Sequence, residues 1–296
     1  MPLYPQNRRT FIKTSLGLAA ATTLTLPDGS EALTVGQVID RIKAQVGIPW
    51  REQTVDNLIV GAREQEVKGI ATVMMATLEV LQQAAAKGLN MVVTHEPTYY
   101  SHQDRIEPVQ QDPLFQQKRD FLEKNGMAVF HFHDHWHGRK PDGIATGMIR
   151  ELGWEKYNDP ENLRLFHFEN MTLAQLAQSV EKKLGIRTMR VLGDPNLPVK
   201  RLMASWGNVS LFPGVPFLAQ ADALIIGETN EWELVEYVQD AIASGQKKGL
   251  IIMGHVVSEQ AGMKYAADWL KGFIKEVPVE YIAIKEPFWR PGQPVK

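Results

Sequence analysis

Residues 70–97 read IATVMMATLEVLQQAAAKGLNMVVTHEP. The run 70–76 is short and apolar, as a buried strand is. Residues 77–87 read as a helix, with Thr77 as N-cap and Gly88 as its stop. Residues 90–94 form the next buried strand and end in His95-Glu96-Pro97. Strand, helix and strand in this order make a crossover unit, and crossover units build largely parallel sheets.

The same alternation extends in both directions. Val35, Val38, Ile39, Ile42 and Val46 recur at helical spacing across residues 35–46. Residues 114–125 are a helix stopped by Gly126, 127–133 (MAVFHFH) a strand, and 143–152 a helix. A similar order follows: helix 172–184, strands 187–192 and 199–204 around the turn Asp194-Pro195-Asn196, and a Gly/Pro-rich loop from Gly207 to Pro216. Then come strand Ala223–Ile226, helix 231–243, strand Leu250–Met253 and helix 258–274. The fold class is therefore α/β. Two similar α/β halves, 33–160 and 161–296, carry layered, largely parallel sheets, with the site expected between them at the carboxyl ends of the strands.

Composition narrows the chemistry. The chain has 296 residues, 32 Lys+Arg against 34 Asp+Glu, 8 His and no Cys. The near-neutral balance argues against a nucleic-acid partner. Without Cys there are no disulfides, thiolate metal sites or cysteine nucleophiles, so any metal must be held by His, Asp, Glu or water. No apolar run reaches the roughly 20 residues of a membrane span.

The first 32 residues have the layout of an export signal. Asn7-Arg8-Arg9-Thr10-Phe11-Ile12-Lys13 carries a twin-arginine pair, the stretch Thr14 to Leu26 is mildly apolar, and Ser30 and Ala32 are small residues suited to cleavage after Ala32. This predicts export of the folded chain by the twin-arginine translocase, a periplasmic or otherwise extracytoplasmic location, and no stable membrane insertion once the signal is removed.

Six of the eight histidines fall at three strand ends: His95 beside Glu96; His131, His133, His135 and His137 around Asp134; and His255 four residues before Glu259. Alone, each group has an ordinary explanation as a loop pair or a surface pair. Together they point to metal. In an extended chain the four alternating histidines would project to one side, and a helical turn would bring His255 and Glu259 to one face. Neutral imidazole and carboxylate suit Zn, Mn, Fe, Co or Ni rather than Ca.

The same segments, in the same order, resemble the Nif-three-like dinuclear metal-centre family, also known as GTP cyclohydrolase I type 2. The matching pieces are Asp56-Asn57-Leu58-Ile59-Val60-Gly61, Ala76-Thr77-Leu78-Glu79-Val80, Asn90 to His95, His133 to His137, Ala223 to Glu228, and Gly254-His255 with Ser258-Glu259. The resemblance covers nearly all of the chain after residue 32. It implies two divalent transition-metal ions held by His95, Glu96, His137, His255 and Glu259, with Glu259 bridging, and a ring-like homo-hexamer. Two positions depart from the family pattern. Glu96 stands where the family has a second His, and His137 stands where it has Asp, so the ligand count and charge are conserved while their order is exchanged. Trp232-Glu233 replaces a family His-Asp pair, which weakens any transfer of substrate.

The expected activity is a dinuclear metal-dependent hydrolase acting on a small C–N substrate, an amide or cyclic amidine. His133 and His135 are the expected general acid or base, because imidazole titrates near neutral pH. Lys118 and Arg119 are weaker candidates for holding an anionic substrate, a solvated helix face being their ordinary role. The alternative is a non-enzymatic metal-binding or metal-delivery oligomer, whose site would be closed rather than open to a cleft.

Overall fold

The computed structural model describes residues 32–292. The twin-arginine pair and the rest of the signal reading up to residue 31 lie outside the described residues. The described chain opens with α1 (Val35–Gln45), fixed by a capping box in which Thr34 and Gln37 each accept from the other's backbone N–H. There follow β1 (Leu58–Val60), β2 (Ile70–Val73), α2 (Leu78–Ala86), β3 (Met91–Thr94), α3 (Pro113–Lys124), β4 (Ala128–His131), α4 (Asp134–Gly138) and α5 (Gly143–Leu152). The second half has β5 (Leu165–His167), α6 (Leu173–Leu184), β6 (Arg190–Leu192), β7 (Arg201–Asn208), α7 (Leu211–Ala219) and β8 (Ala223–Glu228). A π-turn (Glu231–Val235) leads into α8 (Glu236–Ala243), then β9 (Gly249–Ile252), α9 (His255–Lys271) and β10 (Val279–Tyr281).

Two five-stranded sheets result, ordered β1-β4-β3-β2-β10 and β5-β7-β8-β9-β6. In the first, β4, β3, β2 and β10 are parallel and only β1 is antiparallel. In the second, β7, β8 and β9 are parallel and both edges are antiparallel. Strand alternation sorts side chains to opposite faces. Ile70, Met91 and Val93 join Ala204, Ile225 and Ile251 in one core shared by both sheets, together with apolar residues of α1, α5, α6 and α9. Ala71, Val73 and Val92 face outward against α2 and α3. Leu224, Ile226 and Leu250 face outward against α7 and α8. The molecule is thus layered helix, sheet, helix, sheet, helix.

Several expectations change. The C-terminal strand β10 crosses back to pair with β2, so a boundary at residue 160 does not separate the halves. The short edge strands β1, β5 and β10 carry too few residues to show a period. The segment expected as a Gly/Pro loop contains the end of β7 and the first six residues of α7. Pro213 sits in the first turn of α7, where its missing N–H is no loss, and only Pro216 is internal. The stretch 127–133 is a strand only to His131, after which the chain turns into α4.

The contact that sets the geometry of the site is the crossing of α5 and α9. A Cβ on Gly147 would lie 2.3 Å from the carbonyl oxygen of Ala261, and one on Gly262 would lie 2.5 Å from Cα of Ile144. The two backbones touch, which only glycine allows. Gly147→Ala separates two opposing effects. Alanine in an open helix position gains about 0.5–1 kcal/mol, whereas overpacking costs about 1–3 kcal/mol. The crossing predicts net destabilisation, seen as a lower denaturant midpoint at unchanged m-value. A raised midpoint would show that the helices do not approach this closely.

Candidate metal centre

Three strand ends deliver the site. At the end of β3, His95 N–H donates to Val73 O (3.0 Å) and Glu96 N–H to Met74 O (2.8 Å), which extends the parallel pairing and fixes both residues. Beyond β4 the chain is seized by Asp56. Its Oδ1 accepts the N–H groups of His133 (2.7 Å) and Asp134 (2.8 Å), and its Oδ2 accepts that of His135 (2.8 Å). A carboxylate on these free N–H groups starts a helix, so His133 and His137, four apart, come to one side of α4. At the start of α9, His255 and Glu259 are likewise four apart on one face.

These groups converge on the Glu259 carboxylate, which is 2% exposed. Its Oε2 lies 3.1 Å from His255 Nε2 and 3.5 Å from His95 Nε2, and its Oε1 lies 3.6 Å from His137 Nε2. On the far side of His255, Glu96 Oε1 lies 3.3 Å from the same Nε2. Gly207 gives the carboxylate its space: it has φ +76°, and a Cβ there would stand 2.4 Å from Glu259 Oε1. Ser258 Oγ accepts the Gly207 N–H at 3.0 Å and holds that turn in place.

Carboxylates behind the imidazoles orient them. His137 Nδ1 faces Asp142 Oδ2 at 3.1 Å, His255 Nδ1 faces Glu228 Oε1 at 3.0 Å, and His133 Nδ1 faces Asp134 Oδ1 at 3.1 Å. Metal-ligating histidines are held in this way. Burial holds the His95 pKa well below its usual value, so its ring is neutral. Burial also opposes protonation of His137, but Asp142 and Glu259 outweigh it and push the pKa up to about 10. Burial is likewise overcome at His255, where Glu228, Glu259 and Glu96 push the pKa up to about 12. Burial alone would raise the Glu259 pKa, yet His95, His137 and His255 hold it well below the carboxylate range.

The donors fit a transition-metal ion. His95 Nε2 is buried with no hydrogen-bond partner, as an unused ligand lone pair would be. The separations of 3.1–3.6 Å match tetrahedral ligands with bonds of about 2.0–2.2 Å, which stand about 3.3–3.6 Å apart. Among the described residues, His95, His133 and His137 form one group of donors within 4.8 Å of one another, and His95, Glu96 and Glu259 form another. A cleft of about 610 Å³ opens beside them, lined by Ile48, Pro49, Arg51, His133, Asp134 and His137.

The five expected ligands are therefore brought together, with His133 beside them. His135 is not. It is fully buried and stacks on Trp50 at 3.7 Å. Its Nδ1 pairs with Asp56 at 2.6 Å and its Nε2 accepts the Arg51 N–H at 2.9 Å, so it has no free nitrogen for acid–base work and instead braces α4. The four histidines do not share one side, because α4 replaces the extended chain. His131 is buried beside Asp104. Lys118 is buried against Thr98 O and the rings of Tyr99 and Tyr100, and Arg119 pairs with Asp120 and Glu123 on the surface. Sequence reasoning missed Asp56, Asp142, Glu228 and His102. The Asx-type cap of Asp142 on α5 was the one local signal among them.

Comparison with known proteins agrees with this architecture. A family model described as Duf34/NIF3 (NGG1p interacting factor 3) matches residues 33–287. Two curated relatives are each named GTP cyclohydrolase 1 type 2 homolog. The one from Clostridium acetobutylicum is 25% identical over 238 residues, covering 75% of this chain and 83% of the relative. The one from Clostridium perfringens is 24% identical over 239 residues, covering 77% and 87%. Among solved structures, Staphylococcus aureus hypothetical protein SA1388 aligns over 88% of this chain and 100% of its own, with TM-score 0.69 and 16% identity. A Bacillus cereus protein related to NIF3 aligns over 88% and 99%, with TM-score 0.69 and 14% identity. At these identities the solved structures share the fold. With the family model spanning both sheets and every strand-end histidine, the chain belongs to the Duf34/NIF3 family.

Proposed function

We propose that the chain is a metal-dependent hydrolase with two ions, one on each side of Glu259, acting on a small amide or cyclic C–N substrate outside the cytoplasm. The observation that carries the reading is the split of the Glu259 carboxylate: Oε2 faces His255 and His95, while Oε1 faces His137. His95, Glu96, His137, His255 and Glu259 would hold the ions, with His95 in reach of the donors on both sides. Bound ions of this kind polarise a substrate oxygen and acidify water near neutral pH. His133 lines the cleft with 20% of its side chain exposed, which suits it to move a proton at its ring nitrogen. Arg51, 55% exposed on the same cleft, suits an anionic part of a substrate. The open cleft favours turnover over the metal-delivery alternative, which calls for a closed site. Export by the twin-arginine route rests on Arg8, Arg9, Phe11 and Lys13.

Gel-filtered protein should retain about two transition-metal ions per chain, and Glu259→Ala should lose at least one. Unchanged metal content in that variant would remove Glu259 from the site. With the metal loaded, hydrolysis of simple amides and cyclic amidines is the activity to screen.

The pH dependence has a definite sign. His137 and His255 have pKa values raised from 6.5 to about 10 and about 12 in the metal-free chain. Their contribution to stability is full below pH 6.5 and is lost as pH rises toward those values. Glu259 is depressed below 4.5, so its contribution is present above that pH and is lost on acidification. Metal-free protein should therefore show its highest Tm between about pH 4.5 and 6.5 with respect to these groups. Metal affinity should rise with pH, because ions displace the imidazole protons. Metal affinity that is flat from pH 6 to 9 would contradict the paired imidazolium description.

For export, residues 1–35 fused to a reporter should direct it out of the cytoplasm, and Arg8→Lys with Arg9→Lys should block this. Export unaffected by the double substitution would remove the twin-arginine route.

A further inference from the structure

One histidine beside the cleft-lining His133 has no part in the metal centre described above. His102 lies in the connection between β3 and α3 and is exposed, yet its ring stands 4.8 Å from that of His133. Its position is fixed by the loop around it. Asp104 Oδ1 accepts the N–H groups of Thr98 (2.7 Å) and Tyr99 (2.9 Å), and Asp104 N–H donates to Ser101 O at 2.6 Å. Donor atoms of His102, His133 and Asp134 all lie within 4.8 Å of one another.

The carboxylate of this group is prepared for a cation. Asp134 Oδ2 is engaged by Thr54 Oγ1 (2.9 Å) and by the Val55 N–H (3.3 Å), with Arg51 Nη2 at 3.4 Å. Its Oδ1 faces His133 Nδ1 at 3.1 Å, the hydrogen bond that fixes the two side chains beside each other in the metal-free chain. Behind the group, His131 is fully buried with its Nδ1 3.0 Å from Asp104 Oδ2, the carboxylate that also shapes the loop. Its ring lies 6.2 Å from those of both His102 and His133, so the pair formed by His131 and Asp104 backs the group.

The placement of His133 links this group to the inner one. Its ring is 4.6 Å from that of His95 and 4.9 Å from that of His137. Imidazoles therefore run in steps of under 5 Å from exposed His102, through His133, to the buried groups around Glu259. An ion held at the outer end can exchange one ligand at a time and need never be fully stripped.

We propose that His102, His133 and Asp134 form an outer divalent-cation site beside the cleft, through which the inner centre is loaded. The proposal rests on the inner metal reading for its destination, but the outer site stands on its own residues. The ligand class is a first-row transition-metal ion, because two imidazoles and one carboxylate supply the donors.

The test uses metal-free full-length protein and Co²⁺ alone. Equilibrium dialysis against free Co²⁺ counts all sites, and the change in Co²⁺ absorbance with time after mixing gives the loading rate. His102→Ala should bind one Co²⁺ fewer per chain than wild type. It should also subtract one in a Glu259→Gln background, and it should fill the inner centre at least tenfold more slowly. His167→Ala, which removes the exposed histidine of β5, is the control and should change neither reading. Melting curves of each variant confirm folding, and His102, being exposed, carries no core packing. Unchanged stoichiometry in His102→Ala, or loading at the wild-type rate, would overturn the proposal. Glu259→Gln that binds as much Co²⁺ as wild type would overturn the inner reading instead, leaving the outer site to be judged on His102 alone.

Discussion

A carboxylate taken out of water must be given charge in return, and Glu259 is the point from which the rest of this molecule follows. Burying an unpaired carboxylate costs several kcal/mol even after the surroundings relax. Here the side chain is 2% exposed; the charge comes from His137 and His255, and neutral His95 packs on the same carboxylate, one residue from each of three strand ends. None of the three is near enough in the chain, apart from His255, to reach Glu259 without the fold. The sheets therefore serve as a device for bringing imidazoles to a carboxylate. Their parallel strands end on the same side, so residues just past β3, β4 and β9 meet there.

Close backbone approach makes this meeting possible. Gly207 and Gly227 leave room where β7 and β8 pass the site: a Cβ on Gly207 would strike the Glu259 carboxylate, and one on Gly227 would strike Ser258 Oγ. Deeper in the core, Gly147 and Gly262 let α5 and α9 touch. That crossing joins the element that begins beside Asp142, the partner of His137, to the element that carries His255 and Glu259. A displacement at the helix crossing would therefore be felt at the site, since both ends of the His137–Glu259 contact are attached to it.

Much of this was legible in the sequence, and the exceptions share a cause. Apolar runs such as Met91–Thr94 and Leu250–Ile252 declare themselves as buried strands, and polar residues immediately after them must lie at sheet ends. His95, Glu96, His255 and Glu259 were therefore readable from local pattern. The carboxylates that orient the histidines were not. Asp56 is 79 residues from His135 and Glu228 is 27 from His255, and no periodicity encodes a contact over such separations. The same distance explains the error at residues 131–137. Alternating histidines fit an extended strand until Asp56, from far up the chain, captures three consecutive N–H groups and starts a helix. Lys118 reads as a surface residue on α3 because nothing nearby announces that Tyr99 and Tyr100 will fold over it. No element after helix 258–274 is read from the sequence, because β10 has only three residues and its partner, β2, lies far earlier in the chain, with Val279 pairing to Ile70.

The two departures from the family pattern at Glu96 and His137 gain meaning from their positions on either side of Glu259. Exchanged, they leave the count of imidazoles and carboxylates around Glu259 unaltered, but they change where each kind of donor stands. Glu96 stands against His255 and within reach of His95 and Glu259, so the donors there include two carboxylates. His137 stands with His95 and His133, so the other side is dominated by imidazole, with Glu259 its only carboxylate. Oxygen-rich sets favour harder ions and imidazole-rich sets favour Zn, Cu, Fe or Ni. Each protonated imidazole also has a carboxylate behind it, Glu228 for His255 and Asp142 for His137. A chain with the family residues at both positions would place its one non-bridging carboxylate on the opposite side. The exchange thus places a carboxylate at the Glu96 end beside α9 and leaves imidazole, from His133 and His137, lining the cleft that opens to solvent.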